Sequence, residues 1–416
     1  MPPIPRDRSF DGTLALLRDP YGFIAKRSRR YGADLFETRL LLRPTICMTG
    51  PAAAELFYDE ERFMRRGAAP ARMQKTLFGQ GGVQGLDGEA HRRRKQLFLA
   101  LMTPERIDQL AELTGEWWGA YARHWTAMDR VVLYDEMREI LTRAVCAWSG
   151  VPLAEREVAP RTRQLTALFA GAGAVGPKHW WARLERKRAD RWAEGIIEAI
   201  RAGTLNAPEQ SAAHAIAWRR NLHGELLPSR TGAVELLNVL RPTVAVAVYI
   251  VFVAHALHAF PACREQLQAG EDEYAVWFVQ EVRRYYPFFP AVMARVRHDF
   301  EWNGYPFPRG RRTMLDLYGT NHDARTWDAP AEFRPARFRD WDGSPFNFVP
   351  QGGGDFERDH RCSGEWISIA LMKAAARFLT SNIAYTVPAQ DLRIDRKRLP
   401  ALPRSRFVIS NVRVEA

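Results

Sequence analysis

Residues 350–364 read PQGGGDFERDHRCSG, and the interpretation of the whole chain starts from this stretch. Apolar residues at helical spacing follow Cys362, so we expect this cysteine at the junction of a glycine-rich loop and a helix. Backbone N–H groups and the helix dipole at such a junction favour a thiolate over a thiol. The glycines allow close approach of a flat ligand, and Arg361 offers a charge for an acidic group on it. The alternative is an inert, buried cysteine after a flexible loop.

A second pattern lies in a predicted helix that ends at Tyr286-Pro287. A spacing of three places Glu281 and Arg284 on one face of this helix. About 50 residues further along, residues 333–338 read FRPARF, and another arginine from this stretch would complete a buried network. Taken alone, the two residues could equally form an exposed ion pair, which contributes little to stability.

Composition excludes several classes of protein. The chain has 416 residues, 46% of them hydrophobic, with 13 Trp, 22 Phe and 12 Tyr, which excludes a disordered chain, a collagen and a coiled coil. Four widely spaced cysteines exclude a disulfide scaffold and a CxxC-type zinc site.

The net charge of +12 is compatible with nucleic acid, an anionic surface or an acidic substrate as partner. The basic runs at 92–95 and 309–312 are short and accompany no nucleic-acid module, so a solvated basic surface is the simpler interpretation. The N-terminus lacks an apolar stretch, and the twelve-residue apolar run 243–254 is shorter than the roughly 20 residues that span a bilayer. We therefore expect a soluble, cytoplasmic protein with no membrane anchor and no nucleic-acid partner.

Periodicity predicts a mainly α fold with a small β portion, in one domain over residues 1–416. Helices are expected over 50–66, 103–150, 152–200 with a break near 171–177, 234–260 and 364–381, and β pieces near 35–50 and 295–320. The segment 206–230 looks looser. Within 234–260, a VAVAV stretch would also suit a buried strand, but the length of the segment favours a buried helix.

In order and spacing, Glu281-x-x-Arg284, residues 333–338 and residues 348–364 resemble the haem-thiolate cytochromes of the P450 superfamily. The resemblance implies the haem-thiolate cytochrome P450 fold and haem b (iron protoporphyrin IX) as cofactor. It implies that Cys362 is the axial ligand of the iron, where a thiolate donates electron density and assists O–O cleavage.

Four stretches are similar to one branch, the bacterial fatty-acid peroxygenases, which hydroxylate or decarboxylate fatty acids with hydrogen peroxide. They are residues 74–79 (QKTLFG), 240–243 (LRPT), 315–323 (LDLYGTNHD) and 350–355 (PQGGGD). The similarity implies that no reductase is obligatory. One departure is Asp359, where the branch usually has glycine; it affects the loop turn or the electrostatics near the haem.

Arg241 is the residue on which the predicted chemistry depends. No Asp-Thr or Glu-Thr pair, which delivers protons to dioxygen in ordinary P450 monooxygenases, occurs between residues 236 and 263, and Arg241 is the one formally charged residue there. A guanidinium matches a carboxylate as a bidentate fork, so we expect Arg241 to bind the carboxylate of a fatty acid. The alternative is an arginine at the edge of a helix that reaches water.

The branch resemblance implies that the bound carboxylate acts as general acid–base in peroxide cleavage and that the α and β carbons lie nearest the oxidant. Pro242 has no N–H and would distort the helix, opening room beside the iron. Branch members carry Gln or His at the position of Gln84; Gln is associated with hydroxylation and cannot shuttle a proton at neutral pH. We therefore expect 2-hydroxy acids, with 3-hydroxy acids and terminal alkenes as minor products, unless Gln84 is merely a packing residue.

The resemblance also implies residues around the substrate and the cofactor. The candidates for the acyl channel are Phe78, Phe169, Phe288 and Phe289, although aromatic residues are more often plain core. The candidates for binding the haem propionates are His91, Lys95, Arg65, Arg361 and Tyr58. His91 and Lys95 are four residues apart and therefore share a helical face. For the other candidates, a surface charge is the competing interpretation.

The predicted function is hydroxylation of long-chain fatty acids with hydrogen peroxide. A fatty-acid decarboxylase and a reductase-dependent monooxygenase are the enzymatic alternatives. A haem-binding sensor or carrier without turnover needs no carboxylate anchor, and a nucleic-acid binder is disfavoured because no such module is present.

Overall fold

The computed structural model describes residues 4–270 and 272–415, so the part of the N-terminal prediction that concerns Met1–Pro3 lies outside the described residues. The α-helices are α1 (Thr13–Arg18), α2 (Phe23–Tyr31), α3 (Pro51–Phe57), α4 (Ala71–Met73), α5 (Gly88–Leu101), α6 (Pro104–Trp125), α7 (Leu133–Trp148), α8 (Glu155–Ala170), α9 (Pro177–Arg201), α10 (Ala212–Ala217), α11 (Ser229–Ala259), α12 (Pro261–Gln268), α13 (Asp272–Tyr285), α14 (Leu317–Thr320) and α15 (Glu365–Arg377). Short π-helical segments cover Gln74–Phe78 and Phe378–Asn382, and 3-10 turns cover Val83–Gly85 and Pro335–Phe338.

The β-strands are β1 (Leu35–Leu40), β2 (Arg43–Met48), β3 (Phe63–Met64), β4 (Val131–Val132), β5 (Ala291–Val296), β6 (Phe300–Trp302), β7 (Tyr305–Phe307), β8 (Arg312–Asp316), β9 (Ile383–Thr386), β10 (Ile394–Asp395), β11 (Leu402–Pro403) and β12 (Val408–Val414). A five-stranded sheet has the order β1-β2-β8-β5-β3, in which β2 and β8 are parallel and the other pairs antiparallel. Smaller sheets are β4-β12-β9, β6-β7 and β10-β11. The fold is mainly α with a small β portion, as predicted.

The core is built around α11, which packs against α7, α8, α9 and α15. By length and composition α11 could cross a membrane, but 94% of its most apolar 18-residue window is buried inside the protein. Because residues 234–259 are helical throughout, the helical interpretation of 234–260 is confirmed and the strand alternative is wrong. The helix begins earlier than predicted, at Ser229.

Local signals explain several boundaries. Thr103 caps α6 through its side chain, which accepts from Arg106 N, and Pro104 occupies the first helical position. The break predicted near 171–177 is confirmed, because Gly176 has a φ of 63° just before α9.

Three predicted helices have different extents in the structure. The segment 50–66 is helical only as far as Phe57 and then forms β3, and 103–150 is two helices with β4 between them. The segment 364–381 changes to a π-helical turn at Phe378. Helix α10 lies within the looser segment 206–230. One domain over residues 1–416 stays a prediction.

Glu281 and Arg284 on α13 form a buried network rather than an exposed pair, with both side chains 0% exposed. Arg284 Nε and Nη2 donate to the two carboxylate oxygens of Glu281 at 2.7 and 2.8 Å. Arg337 Nε donates to Glu281 Oε1 at 3.2 Å, and the backbone N–H of Arg334 donates to the same oxygen at 2.8 Å. The predicted second arginine is therefore Arg337, and the network fixes residues 333–338 against α13.

Replacing Glu281 by Gln should lower the free energy of unfolding by about 3–5 kcal/mol, because two buried guanidinium groups would lose their counter-charge. Urea denaturation followed by circular dichroism measures this change. Glu265→Gln, at an exposed position on α12, is the matched control and should change stability by less than about 0.5 kcal/mol. A similarly small effect in Glu281→Gln would show that the network does not hold the fold together.

Candidate functional site

Cys362 lies at the predicted junction, three residues before α15 begins at Glu365. Its N–H donates to Gln351 O at 3.1 Å, and its carbonyl accepts from Glu365 N at 3.3 Å. Cys362 is partly exposed, whereas Cys47, Cys146 and Cys263 are buried. Among the four cysteines, it is the one whose residue is not fully buried.

The protonation of Cys362 departs from the sequence-based expectation. Burial raises the pKa of the thiol, and this effect outweighs the N–H of Gly364, which lowers it. The N–H of Gly364 thus acts in the predicted direction and favours the thiolate, but it does not by itself offset burial. A bound metal cation reverses this balance, because a coordinating thiol is deprotonated outright.

The glycines before Cys362 are required by close packing of the loop on itself. Gly352 has a φ of 95°, and a Cβ there would lie 3.0 Å from Tyr58 Oη. Gly354 has a φ of 82°, and Asp359 occupies the space beside it. Asp359 Oδ2 accepts from Asp355 N at 2.7 Å, so the residue that departs from the branch pattern closes the loop turn.

Cationic and aromatic side chains converge on this loop. His91, 2% exposed, stacks on His360 with ring centroids 3.7 Å apart, and its Nδ1 has no hydrogen-bond partner among the described residues. Lys95 Nζ donates to the carbonyl oxygens of Arg361, at 2.9 Å, and Asp359. Arg65 lies over Phe57 with its Cζ 4.2 Å from the ring centroid. Its Cζ is 5.3 Å from the ring centroid of Tyr58.

Burial disfavours the charged forms of two side chains in this cluster. Burial, reinforced by neighbouring cations, lowers the pKa of His91 to about 4. Burial also lowers the pKa of Lys95 to about 8. An anionic ligand placed here would favour the charged forms of both groups. Arg361 differs from them, because its Nε and Nη2 already donate to Glu365 at 2.6 and 3.1 Å.

Arg241 lies in the middle of α11 and is only 6% exposed, so the alternative of an arginine at a helix edge reaching water is wrong. Its Nη1 donates to Leu77 O at 2.8 Å and its Nη2 to Asn238 Oδ1 at 3.2 Å, both neutral acceptors. Burial lowers the pKa of Arg241 to about 9, Arg186 lowers it further, and Cys362 acts in the opposite direction. Arg241 and Cys362 are therefore within electrostatic reach of each other.

Gln84 is brought next to Arg241 through a shared partner, because its Oε1 accepts from Asn238 Nδ2 at 3.2 Å. Pro242 lies inside α11, which continues through it. Because proline has no N–H, the backbone carbonyl of Asn238 receives no hydrogen bond from residue 242.

The four phenylalanines differ in their surroundings. Phe78 ends the π-helical segment that supplies Leu77 O to Arg241. Phe288 stacks on Tyr249 of α11 with ring centroids 4.1 Å apart, and its ring lies 5.9 Å from that of Phe289. Phe169 is 2% exposed within the main core, which favours the plain-core alternative for this residue.

Sequence reasoning missed four polar residues around Arg241. Glu235, 0% exposed, pairs with Arg94 and accepts from Asn238 Nδ2 at 2.9 Å. Arg186 of α9, 3% exposed, donates to Leu77 O at 3.3 Å, so this carbonyl accepts from two arginines. Asn238 lies three residues before Arg241, a spacing that could have identified it. Arg94 and Arg186 come from distant helices and carry no such signal.

Comparisons with known proteins agree with this geometry. The family model "Cytochrome P450" matches residues 268–391. Cytochrome P450SP alpha, solved in complex with (R)-ibuprophen, is 57% identical, with 97% of this chain and 99% of that chain covered and a TM-score of 0.95. Cytochrome P450EX alpha with myristic acid is 46% identical, and a variant of cytochrome P450 OleT with arachidonic acid is 36% identical; each has 99% of both chains covered and a TM-score of 0.96. With this degree of identity over nearly its whole length, the chain belongs to the cytochrome P450 family, in the branch of P450SP alpha and P450EX alpha.

Proposed function

We propose that this protein is a peroxygenase that hydroxylates long-chain fatty acids at the α carbon, and to a smaller extent at the β carbon, with hydrogen peroxide and without an obligatory reductase. The observation that carries the proposal is the state of Arg241. Its buried guanidinium pairs with no carboxylate among the described residues and donates to two neutral oxygens. A buried cation is costly without an anion, and the carboxylate of a fatty acid supplies one with matching geometry.

As a member of the cytochrome P450 family, the chain is a haem-thiolate oxidoreductase, with a cysteine thiolate as the axial ligand of the iron. We assign that role to Cys362, because it lies just before α15 in the glycine-rich loop that resembles the cysteine-ligand loop of the family. When bound, the thiolate-ligated iron supplies cleavage of the O–O bond of peroxide and transfer of an oxygen atom.

The residues around the loop fit such a cofactor. The unpartnered Nδ1 of His91 and the buried Lys95 offer two donors for propionates, and Tyr58 and Arg65 lie beside them. Arg361 is the weakest of the five candidates, because Glu365 already neutralises its guanidinium. The role of these residues in binding propionates remains part of the proposal.

Arg241 orients the acid and fixes which carbons are oxidised. A bidentate guanidinium–carboxylate pair holds the head of the chain, so the α and β carbons are the first to follow it into the site. A carboxylate oxygen accepts a proton from one peroxide oxygen and returns it to the other, which leaves as water. The net reaction converts R–H and hydrogen peroxide into R–OH and water.

The solved relatives support a carboxylic acid as substrate, since their ligands (R)-ibuprophen, myristic acid and arachidonic acid all carry this group. The acid–threonine pair of a monooxygenase has no equivalent between residues 236 and 263. Thr243 follows Pro242, and its hydroxyl is engaged with Val239 O at 3.0 Å. The substrate carboxylate takes the place of this pair.

We also propose that the protein is located in the cytoplasm. All four cysteines are free thiols, as expected in a reducing compartment. The net charge of +12 also suits a soluble protein.

The ligand assignment is tested with carbon monoxide. Cys362→Ser should lose the Soret shift typical of sulfur ligation when the protein is reduced under carbon monoxide, because serine offers no thiolate. Cys263→Ser, in which a buried thiol is replaced, should keep it. A sulfur-ligated spectrum in Cys362→Ser would place the iron elsewhere.

The anchor is tested by substitution and direct turnover. Arg241→Ala should lower turnover of a long-chain fatty acid with peroxide alone by at least about 100-fold at unchanged haem content, because the neighbouring Arg186 is already paired with Asp190. Mass spectrometry quantifies the product. Arg230→Ala, at an exposed position on the same helix, is the matched control. Full activity in Arg241→Ala would refute the salt-bridge mechanism, and a requirement for a reductase would favour a monooxygenase.

The products report on Gln84. The protein should release mainly 2-hydroxy acids, with 3-hydroxy acids and terminal alkenes as minor products, and Gln84→His should raise the alkene share because imidazole exchanges protons near neutral pH. Gas chromatography with mass spectrometry separates the three products. Alkene as the main product of the unaltered protein would instead identify a decarboxylase.

A further inference from the structure

A buried polar chain leads away from Arg241 and ends on a carboxylate. Asn238, 7% exposed, lies between Arg241 on one side and Glu235 on the other, one turn apart along α11. Its Oδ1 accepts from Arg241 Nη2 at 3.2 Å and its Nδ2 donates to Glu235 Oε2 at 2.9 Å. Arg94 from α5 pairs with the other oxygen of Glu235 and neutralises its charge.

The two ends of this chain fix the orientation of the Asn238 amide. An ionised carboxylate only accepts hydrogen bonds, and a guanidinium only donates them. The amide therefore satisfies both neighbours in one orientation, with its NH₂ towards Glu235 and its oxygen towards Arg241. A flipped amide would place N–H against N–H at Arg241 and oxygen against oxygen at Glu235.

The ion pair with Arg94 matters for this arrangement. Burial raises the pKa of the Glu235 carboxyl, whereas Arg94 and the hydrogen bond from Asn238 act to lower it. Arg94 thus favours the acceptor-only form of Glu235.

Because the Asn238 side chain is uncharged, it does not neutralise Arg241. An aspartate in the same place would pair with Arg241 directly, and a substrate carboxylate would then have to displace it. An amide offers the same oxygen to the guanidinium without cancelling its charge. Arg241 is thereby held in place and remains available to an anion.

We propose that Asn238 is a positioning residue that acts as a neutral spacer, oriented by the Glu235–Arg94 pair, and that it holds Arg241 ready for the carboxylate of the substrate. This inference rests on the proposed role of Arg241. The selectivity of the site for an anionic head group then depends on Asn238, Glu235 and Arg94. None of these three residues is proposed to contact the cofactor or the acyl chain.

The experiment titrates the haem-loaded protein with myristic acid and follows the Soret band. Asn238→Asp should weaken myristate binding by at least about 100-fold, because an internal salt bridge then competes for the guanidinium. Glu235→Gln should weaken it by about 10-fold, because the amide loses its charged acceptor and keeps only the hydrogen bond to Gln84 Oε1. Imidazole, a neutral ligand of the iron, should bind both variants within about twofold of the unaltered protein, since its binding does not use Arg241. Asn303→Asp, in an exposed turn, is the matched control for the same chemical change.

The outcomes separate this inference from the proposed function. Unchanged myristate binding in Asn238→Asp, with binding lost in Arg241→Ala, would overturn the spacer role and leave the anchor in place. Equal losses of myristate and imidazole binding would show a merely structural role for Asn238 and would also overturn it. Retention of myristate binding in Arg241→Ala would instead refute the anchor itself, and with it the role of Asn238.

Discussion

The structure depends on a guanidinium placed in the middle of its most apolar helix. Arg241 is 6% exposed, and hydrogen bonds to Leu77 O and Asn238 Oδ1 satisfy part of its donor capacity without supplying a negative charge. The folded protein therefore holds a buried positive charge whose counter-charge has to come from a ligand. The length and burial of α11 supply the rigidity that keeps this charge in one position.

The cysteine loop is held by a second set of ion pairs. Glu365, at the first position of α15, accepts from Arg361 of the loop and from Arg283 of α13. Glu281, two residues before Arg283, binds Arg284 and Arg337 in the adjoining network. Helix α13 thus connects the loop that carries Cys362 with residues 333–338, and both segments keep their place although neither is regular over its full length.

Much of this arrangement could be predicted because it follows from patterns that are local in the chain. Periodicity identified α11, a spacing of three paired Glu281 with Arg284, and the glycines located the loop before Cys362. The remaining features depend on contacts between distant segments. Arg94 reaches Glu235 from α5, and Arg186 reaches Leu77 from α9, contacts that the spacing of residues does not specify. The raised pKa of the Cys362 thiol also could not be predicted, because burial is a property of the assembled fold.

Leu77 O, which accepts from both Arg186 and Arg241, ties three parts of the chain together. Gly79 adopts a φ of 82°, and a side chain there would collide with Arg186, so this junction is also sterically closed. Phe78 lies between Leu77 and Gly79 in the sequence. We proposed that the ring of Phe78 borders the path of the acyl chain and that Arg241 binds its carboxylate. Since both residues are attached to the same short segment, a shift of one also shifts the other. Reshaping the wall to admit a different tail would then also displace the head group, so tail selectivity and the site of oxidation are not independently adjustable in this protein.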